Sequence, residues 1–222
     1  MFVPIGDENP RERVPVVTLG LIGLNILLFF LWCFPEENLI QAVEINALVP
    51  NRADWADIEW WKDIFASMFM HGGLAHLVGN MLFLWIFGDN VEDKLGHGLF
   101  AVFYLGCGVA ADAVYVAMSP HSGVPTLGAS GAVSGVLGAY VIFFPMHRVQ
   151  LMLWFIIPIA VYRIPAFFWI GFWIIQQVLL AQMGVEGVAW YAHIGGFLAG
   201  FAVAVPWKIL YYKTFKPRPR DA

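Results

Sequence analysis

The chain has 222 residues, of which 60% are hydrophobic and 13% charged; its 12 basic and 16 acidic side chains give a formal net charge of −4. Soluble domains carry roughly 25% charged residues. This composition, with a mean hydropathy of +0.71, therefore excludes a soluble globular domain and a disordered chain, and the acidic balance leaves no basic footprint for nucleic acid. The two cysteines, Cys33 and Cys107, both sit in apolar runs, which excludes a disulfide-rich scaffold and a cysteine-based zinc site. A polytopic, all-α membrane protein remains.

Six stretches approach the ~20 apolar residues that a membrane-spanning helix needs. In chain order they run from about Val16 to Phe34, Leu74 to Phe87, Leu99 to Met118, Ala129 to Phe144, Pro165 to Met183 and Val188 to Leu210. The second and fourth are short and open beside glycines, so they are expected to begin inside the thickness of the membrane. Residues 35–66 form the longest loop. It is acidic and carries Trp55, Trp60 and Trp61, which fits an amphipathic element at the membrane interface. The apolar stretch 149–161 is short and interrupted by Pro158, and reads as an interfacial or re-entrant connection.

With six spans, ten of the twelve Lys and Arg residues fall on one side and only Arg52 and Lys62 on the other. That bias predicts cytoplasmic termini, residues 1–15 and a basic tail at 211–222. The tail suits anionic headgroups, but an ordinary stop-transfer flank is the preferred reading. The first span exceeds the apolar core of a secretory signal, and no small-x-small site follows it, so it is expected to stay on the chain. The whole reads as a single membrane domain over 1–222, suited to a bacterial plasma membrane.

Polar groups inside a membrane are costly and therefore informative. Of the five serines only Ser130 and Ser134 fall inside a span, and of the six histidines only His76 and His193, both near outer ends. Ser130 opens the fourth span within Gly128-Ala129-Ser130-Gly131. Flanking glycines admit a close approach, and helix N-terminal N–H groups are suited to a developing oxyanion. The same glycines, with Gly135 and Gly138, are also what a tight helix crossing needs.

His193, Gly196 and Gly200 share one helical face. If the fourth and sixth spans pack through their glycines, Ser130 and His193 meet at similar depth as nucleophile and general base. An imidazole hydrogen-bonded across helices is the plainer alternative. His76 and Asn80 are four residues apart on one face of the second span and supply two uncharged donors, suited to an oxyanion hole or to polar contacts between helices.

His71 lies five residues before His76, where the loop enters that span. A metal site at His71, His76 and His193 lacks an HExxH pattern and a carboxylate companion, so no metal and no cofactor is expected. Asp112 lies four to six residues from the outer end of the third span, ~6–9 Å down. It is expected to line a wet cavity or pair with a polar neighbour rather than complete a triad, which favours a Ser–His dyad.

These residues resemble those of the rhomboid intramembrane serine proteases. The resemblance rests on His71-Gly72-Gly73-Leu74-Ala75-His76 running to Asn80, on Gly128-Ala129-Ser130-Gly131, and on Ala192-His193-Ile194-Gly195-Gly196, in that order and on the matching spans of a six-helix core. It implies Ser130 as nucleophile, His193 as base, and His76, Asn80 and the Ser130 N–H as oxyanion hole. His71, Gly128, Gly131 and Gly196 would be supporting residues. It further implies cleavage in or next to the transmembrane helices of membrane-protein substrates, within a cavity open to the outer side of the lipid bilayer.

Two positions depart from the family. Many relatives carry Trp-Arg in the outer loop, where the nearest match is Trp61-Lys62, about one residue out of register. Many also place an aromatic four residues after the nucleophile. Here that residue is Ser134, so Trp190 or Tyr191 is expected to hold His193. The alternatives are a catalytically inactive rhomboid-like scaffold, and a small transporter lined by His76, Asn80 and Asp112. The inverted repeats or paired broken helices common in transporters are not visible.

Overall fold

The computed structural model describes residues 2–10, 12–154 and 158–214. The chain begins with β1 (Phe2–Asp7), then α1 (Val16–Leu28), which runs on as a π-helical turn over Phe29–Cys33. α2 (Glu36–Asn46) and α3 (Ile58–Ser67) occupy the expected outer loop, and α4 (Leu74–Leu95), α5 (His97–Met118) and α6 (Ser130–Phe143) follow. A hairpin of β2 (Arg148–Trp154) and β3 (Pro158–Pro165) leads into α7 (Ala166–Gln182) and α8 (Trp190–Thr214). Residues 211–214 of the expected basic tail continue α8. The remainder, with Lys216, Arg218 and Arg220, lies outside the described residues, as does Arg11.

Val16–Cys33, Leu74–Leu95, His97–Met118 and Trp190–Leu210 are long and apolar enough to cross a bilayer; α6 and α7 are apolar but shorter. Large apolar side chains such as Val102 and Phe172 stay exposed on the outside of this bundle, as a protein with lipid for solvent requires. α6 is the central element: every residue from Gly131 to Val141 is buried. A helix apolar on all sides buries all sides, and α6 packs against α4, α5 and α8. Its last turn is closed by Lys208 of α8, whose Nζ donates to the Ile142 carbonyl at 2.5 Å.

Two expectations are corrected. The second span does not stop at Phe87 but continues to Leu95, because tertiary partners satisfy the polar residues that seemed to end it. Glu92, almost completely buried, accepts the Val17 and Thr18 N–H groups at 2.9 and 2.7 Å and the Thr18 hydroxyl at 2.6 Å. It thereby caps α1, whose own N-cap residue, Pro15, supplies no side-chain bond.

The re-entrant reading of 149–161 is replaced by strands: residues 149–154 lie in β2 and 158–161 in β3. β2 and β3 pair antiparallel, and β1 adds the third strand in the order β1-β2-β3. The sheet is pinned to the bundle through Asp7, whose Oδ2 accepts from Tyr140 Oη at 2.5 Å and Asn90 Nδ2 at 3.0 Å. Glu8 and Arg163 form an ion pair at 3.0 Å beside it. The bundle is therefore helical with one small sheet at the end of α6 away from Ser130.

The outer loop folds inward. Trp60 and Ile64 of α3 are buried with Leu48 and Val116. Trp55 packs edge-on against both Trp60 and Trp61. Lys62 is half-exposed and paired with Glu59 at 2.5 Å.

Candidate active site

The site is built on the crossing of α6 and α8. A Cβ on Gly196 would overlap the Gly131 carbonyl oxygen, one on Gly200 the Gly135 carbonyl, and one on Gly138 the Phe197 carbonyl. The two backbones are thus in contact, which only glycine at these positions permits. That contact brings the first turn of α6, opened by Ser130, beside the first turns of α8, which carry His193. Both residues line one cavity of about 1070 Å³, together with His76, Asn80, Phe83 and Trp173. As the first helical residue, Ser130 presents an N–H without an intrahelical acceptor. Its carbonyl accepts the Ser134 hydroxyl at 2.6 Å.

The loop before α6 is fastened to the outer segment. Thr126 N–H donates to the Leu48 carbonyl at 2.8 Å and Gly128 N–H to the Ser67 carbonyl at 2.9 Å. Gly128 has φ +120°, and a Cβ there would lie 2.7 and 2.8 Å from Cε1 and Nε2 of His76 and 3.7 Å from Nδ2 of Asn80. The imidazole and the amide therefore lie side by side against the backbone two residues before Ser130. His76 Nδ1 accepts the Gly72 N–H at 3.3 Å, so the neutral ring carries its proton on Nε2, the atom beside Gly128. Asn80 Nδ2 donates to the His76 carbonyl at 3.2 Å and retains a second hydrogen.

His71 is fully buried behind this pair, edge-on to His76 with ring centroids 5.2 Å apart. Burial, and secondarily the nearby His76, push its pKa down to about 4, so it is a neutral ring at neutral pH.

His193 is held from two elements. The rings of Trp173 on α7 and Trp190 on α8 each lie 6.1 Å from its own. Trp190 is thus the aromatic neighbour expected for His193, while Tyr191 lines the same cavity. Two of the contacts were not foreseen: Trp173, and Gln177, whose Oε1 lies 2.8 Å from His193 Nδ1. Gln177 had one legible signal, an amide inside an apolar span, but nothing in the sequence tied it to His193.

Asp112 is buried on α5 outside the cavity, and its Oδ2 has no hydrogen-bond partner among the described residues. It neither approaches His193 as a triad member nor lines a wet cavity. No cluster of three His, Cys, Asp or Glu side chains suited to a metal ion occurs among the described residues. Cys33 and Cys107 are free and buried. Among its lining the cavity thus brings the Ser130 hydroxyl and the His193 imidazole together with two uncharged donors, His76 and Asn80, a set with the composition needed for acyl transfer.

Comparison with known proteins gives a consistent assignment. The Rhomboid domain family model matches residues 57–208. Over 131 residues, 56% of this chain and 24% of the relative, the sequence is 36% identical to rhomboid protease GluP of Bacillus subtilis (strain 168). It is 28% identical over 205 residues to the mitochondrial presenilin-associated rhomboid-like protein of Homo sapiens, covering 89% of this chain and 50% of that one. It is 27% identical over 153 residues, 68% and 74% of the two chains, to putative rhomboid protease YdcA of Bacillus subtilis.

The chain therefore spans about a quarter of the first of these relatives and half of the second. They come from a bacterium and from mitochondria, so a bacterial plasma membrane is not supported over a mitochondrial one. The matched segment runs from the start of α3 into α8 and contains the whole cavity quartet of His76, Asn80, Ser130 and His193. With its bundle of apolar helices, the chain is an integral membrane protein and belongs to the rhomboid family.

Proposed function

We propose that the chain is an intramembrane serine endopeptidase that hydrolyses peptide bonds in or next to transmembrane helices of membrane-protein substrates. The observation that carries this reading is the shared cavity of Ser130, His193, His76 and Asn80, with the His76 donor turned toward the backbone before Ser130. In the proposed reaction Ser130 Oγ attacks the scissile carbonyl while His193 takes its proton. The Ser130 N–H, His76 Nε2–H and the Asn80 amide receive the developing oxyanion. His193 then returns the proton to the leaving amine, and water, activated by the same imidazole, releases the acyl product. His71, Gly128, Gly131 and Gly196 support these groups without taking part in proton transfer.

A helical substrate hides its scissile carbonyl in an i→i−4 hydrogen bond, so substrates with helix-breaking residues near the cut are the better ones. We further propose that both termini are cytoplasmic and that the cavity opens toward the opposite side, following the Lys and Arg asymmetry.

The test is incubation of purified wild-type and Ser130→Ala chains with a panel of single-span substrates, the cut sites being mapped, beside labelling with a serine-reactive phosphonate. Wild-type cleavage and labelling, both lost in a folded Ser130→Ala chain, are the expected result. Cleavage by Ser130→Ala refutes the nucleophile. A wild-type chain that neither cleaves nor labels makes it an inactive rhomboid-like scaffold.

A further inference from the structure

We propose that Gln177 is the positioning residue of the reaction, a neutral third member that locks His193 in the tautomer with the proton on Nδ1 and the lone pair on Nε2. The inference rests on the endopeptidase reading above. It starts from an ambiguity: a neutral imidazole has two tautomers, and only one leaves Nε2 free to accept a proton. What the other ring nitrogen meets decides between them.

His193 Nδ1 meets Gln177 Oε1 at 2.8 Å. An amide group presents either its oxygen or its nitrogen, and its hydrogen bonds tell which. Gln177 Nε2 donates to the Trp173 carbonyl at 3.3 Å, one turn back on α7. That bond spends the amide nitrogen on the backbone and turns the oxygen to the imidazole. An oxygen acceptor at Nδ1 requires a hydrogen on Nδ1, and hence a bare Nε2. Gln177 is only 4% exposed, so water does not compete for either end. The Trp173 and Trp190 rings flank the imidazole and restrict its rotation.

The chemistry of the amide suits its surroundings. The titratable groups that share the cavity are His76 on α4, Tyr115 on α5, and Glu186 and Tyr191 at the α7–α8 connection and the start of α8. None of them is within hydrogen-bond distance of the His193 ring, whose one such partner among the described residues is Gln177. A buried carboxylate at position 177 would orient the ring equally well, but would bring a costly charge into the bilayer. An amide orients without charge. It also gives the imidazolium formed during attack a dipole rather than a counter-ion.

Gln177→Leu removes the acceptor, and Gln177→Glu keeps an oxygen while adding charge. The readouts are steady-state cleavage of a single-span substrate in proteoliposomes from pH 5 to 9, and the 15N spectrum of histidine-labelled protein. For Gln177→Leu, kcat falls about 10–100-fold with KM little changed, as expected when an orienting partner one shell out is lost. For Gln177→Glu, kcat recovers at alkaline pH, and the acid limb of the profile moves to higher pH, because a carboxylate stabilises the imidazolium.

The expected wild-type spectrum has His193 protonated on Nδ1, a signature that a packing role for Gln177 would not produce. A wild-type proton on Nε2, or a Gln177→Leu chain with wild-type kcat and acid limb, overturns the proposal. If Gln177→Leu does not fold, the Gln177→Glu profile and the wild-type spectrum decide. Should the wild-type chain neither cleave nor label with phosphonate, the endopeptidase reading fails. The spectrum still decides the tautomer.

Discussion

Gly128→Ala isolates the geometry of the oxyanion side of the site. The substitution adds one carbon where the structure has room for none: its Cβ would stand 2.7 Å from His76 Cε1 and 2.8 Å from Nε2. That is roughly 0.8 Å inside the distance at which carbon atoms pack well. The backbone cannot relieve the overlap by itself, since Gly128 holds φ +120°, a region that costs a side-chain-bearing residue about 1–3 kcal/mol, and its N–H is tied to the Ser67 carbonyl at 2.9 Å.

The imidazole therefore retreats. Its bond from Gly72 N–H, already long at 3.3 Å, is strained or lost, and the Nε2–H donor withdraws from the oxyanion position. Asn80 Nδ2, 3.7 Å from the added carbon, is undisturbed, so one donor is removed rather than two. Removal of one oxyanion donor lowers kcat by about 10²–10³-fold. KM should hardly change, because the donor acts on charge that develops only in the transition state.

Cleavage of a single-span substrate in proteoliposomes measures both constants. Gly106→Ala is the control, since nothing lies within 4 Å of that site in mid-α5; alanine there is neutral or stabilising by up to ~1 kcal/mol. A Gly128→Ala chain with wild-type melting behaviour and a kcat within about threefold of wild type would remove His76 from the oxyanion hole.

The other predictions concern stability. Glu92→Ala should lower the melting temperature in detergent, because the Val17 and Thr18 N–H groups lose their acceptor. Each buried donor left unpaired costs roughly 1–3 kcal/mol. Glu92→Gln, which keeps one oxygen, should lose less, and an unchanged Tm in both would refute the capping role. His71 should make the protein acid-sensitive. Its folded pKa of about 4 lies below the ordinary 6.5, so the unfolded chain takes up a proton that the folded chain refuses. Stability is then unaffected above pH ~6.5 and falls as pH drops from about 6.5 to 4. His71→Leu should flatten that part of the Tm–pH curve, and a curve of unaltered slope would count against it.

Much of the site was legible because lipid leaves so few polar residues to choose from. Two serines and two histidines inside the expected spans were a short enough set to pair by depth. The glycines Gly131, Gly196 and Gly200 indicated which helices meet. The tight crossing expected of those glycines is present: the carbonyl contacts that a Cβ would break are what bring the first turns of α6 and α8 together. Gln177 was not legible, since its meaning depends on which face of α7 turns toward α8. The span Ala166–Gln182 is apolar on nearly every side and has no polar stripe to show it.

The fold was misread where a residue's partner lies far along the chain. Asp89, Asn90, Glu92 and Asp93 look like the end of a span. They belong to a helix interior only because α1 and β1 come to meet them, from 74 residues away for Thr18 and 83 for Asp7. The sheet was hidden for the same reason. A half-buried strand announces itself by alternation, but β2 and β3 carry apolar residues at nearly every position and so resemble a broken span.

Their register could not be inferred without β1, which begins at the second residue of the chain and pairs with residues 149–153. Asp7 shows the same dependence on partners far along the chain. One carboxylate accepts from Tyr140 on α6 and Asn90 on α4 while its own strand completes the sheet. The N-terminal segment is thus part of what positions the far end of the helix that Ser130 opens, and not a terminus appended to a finished bundle.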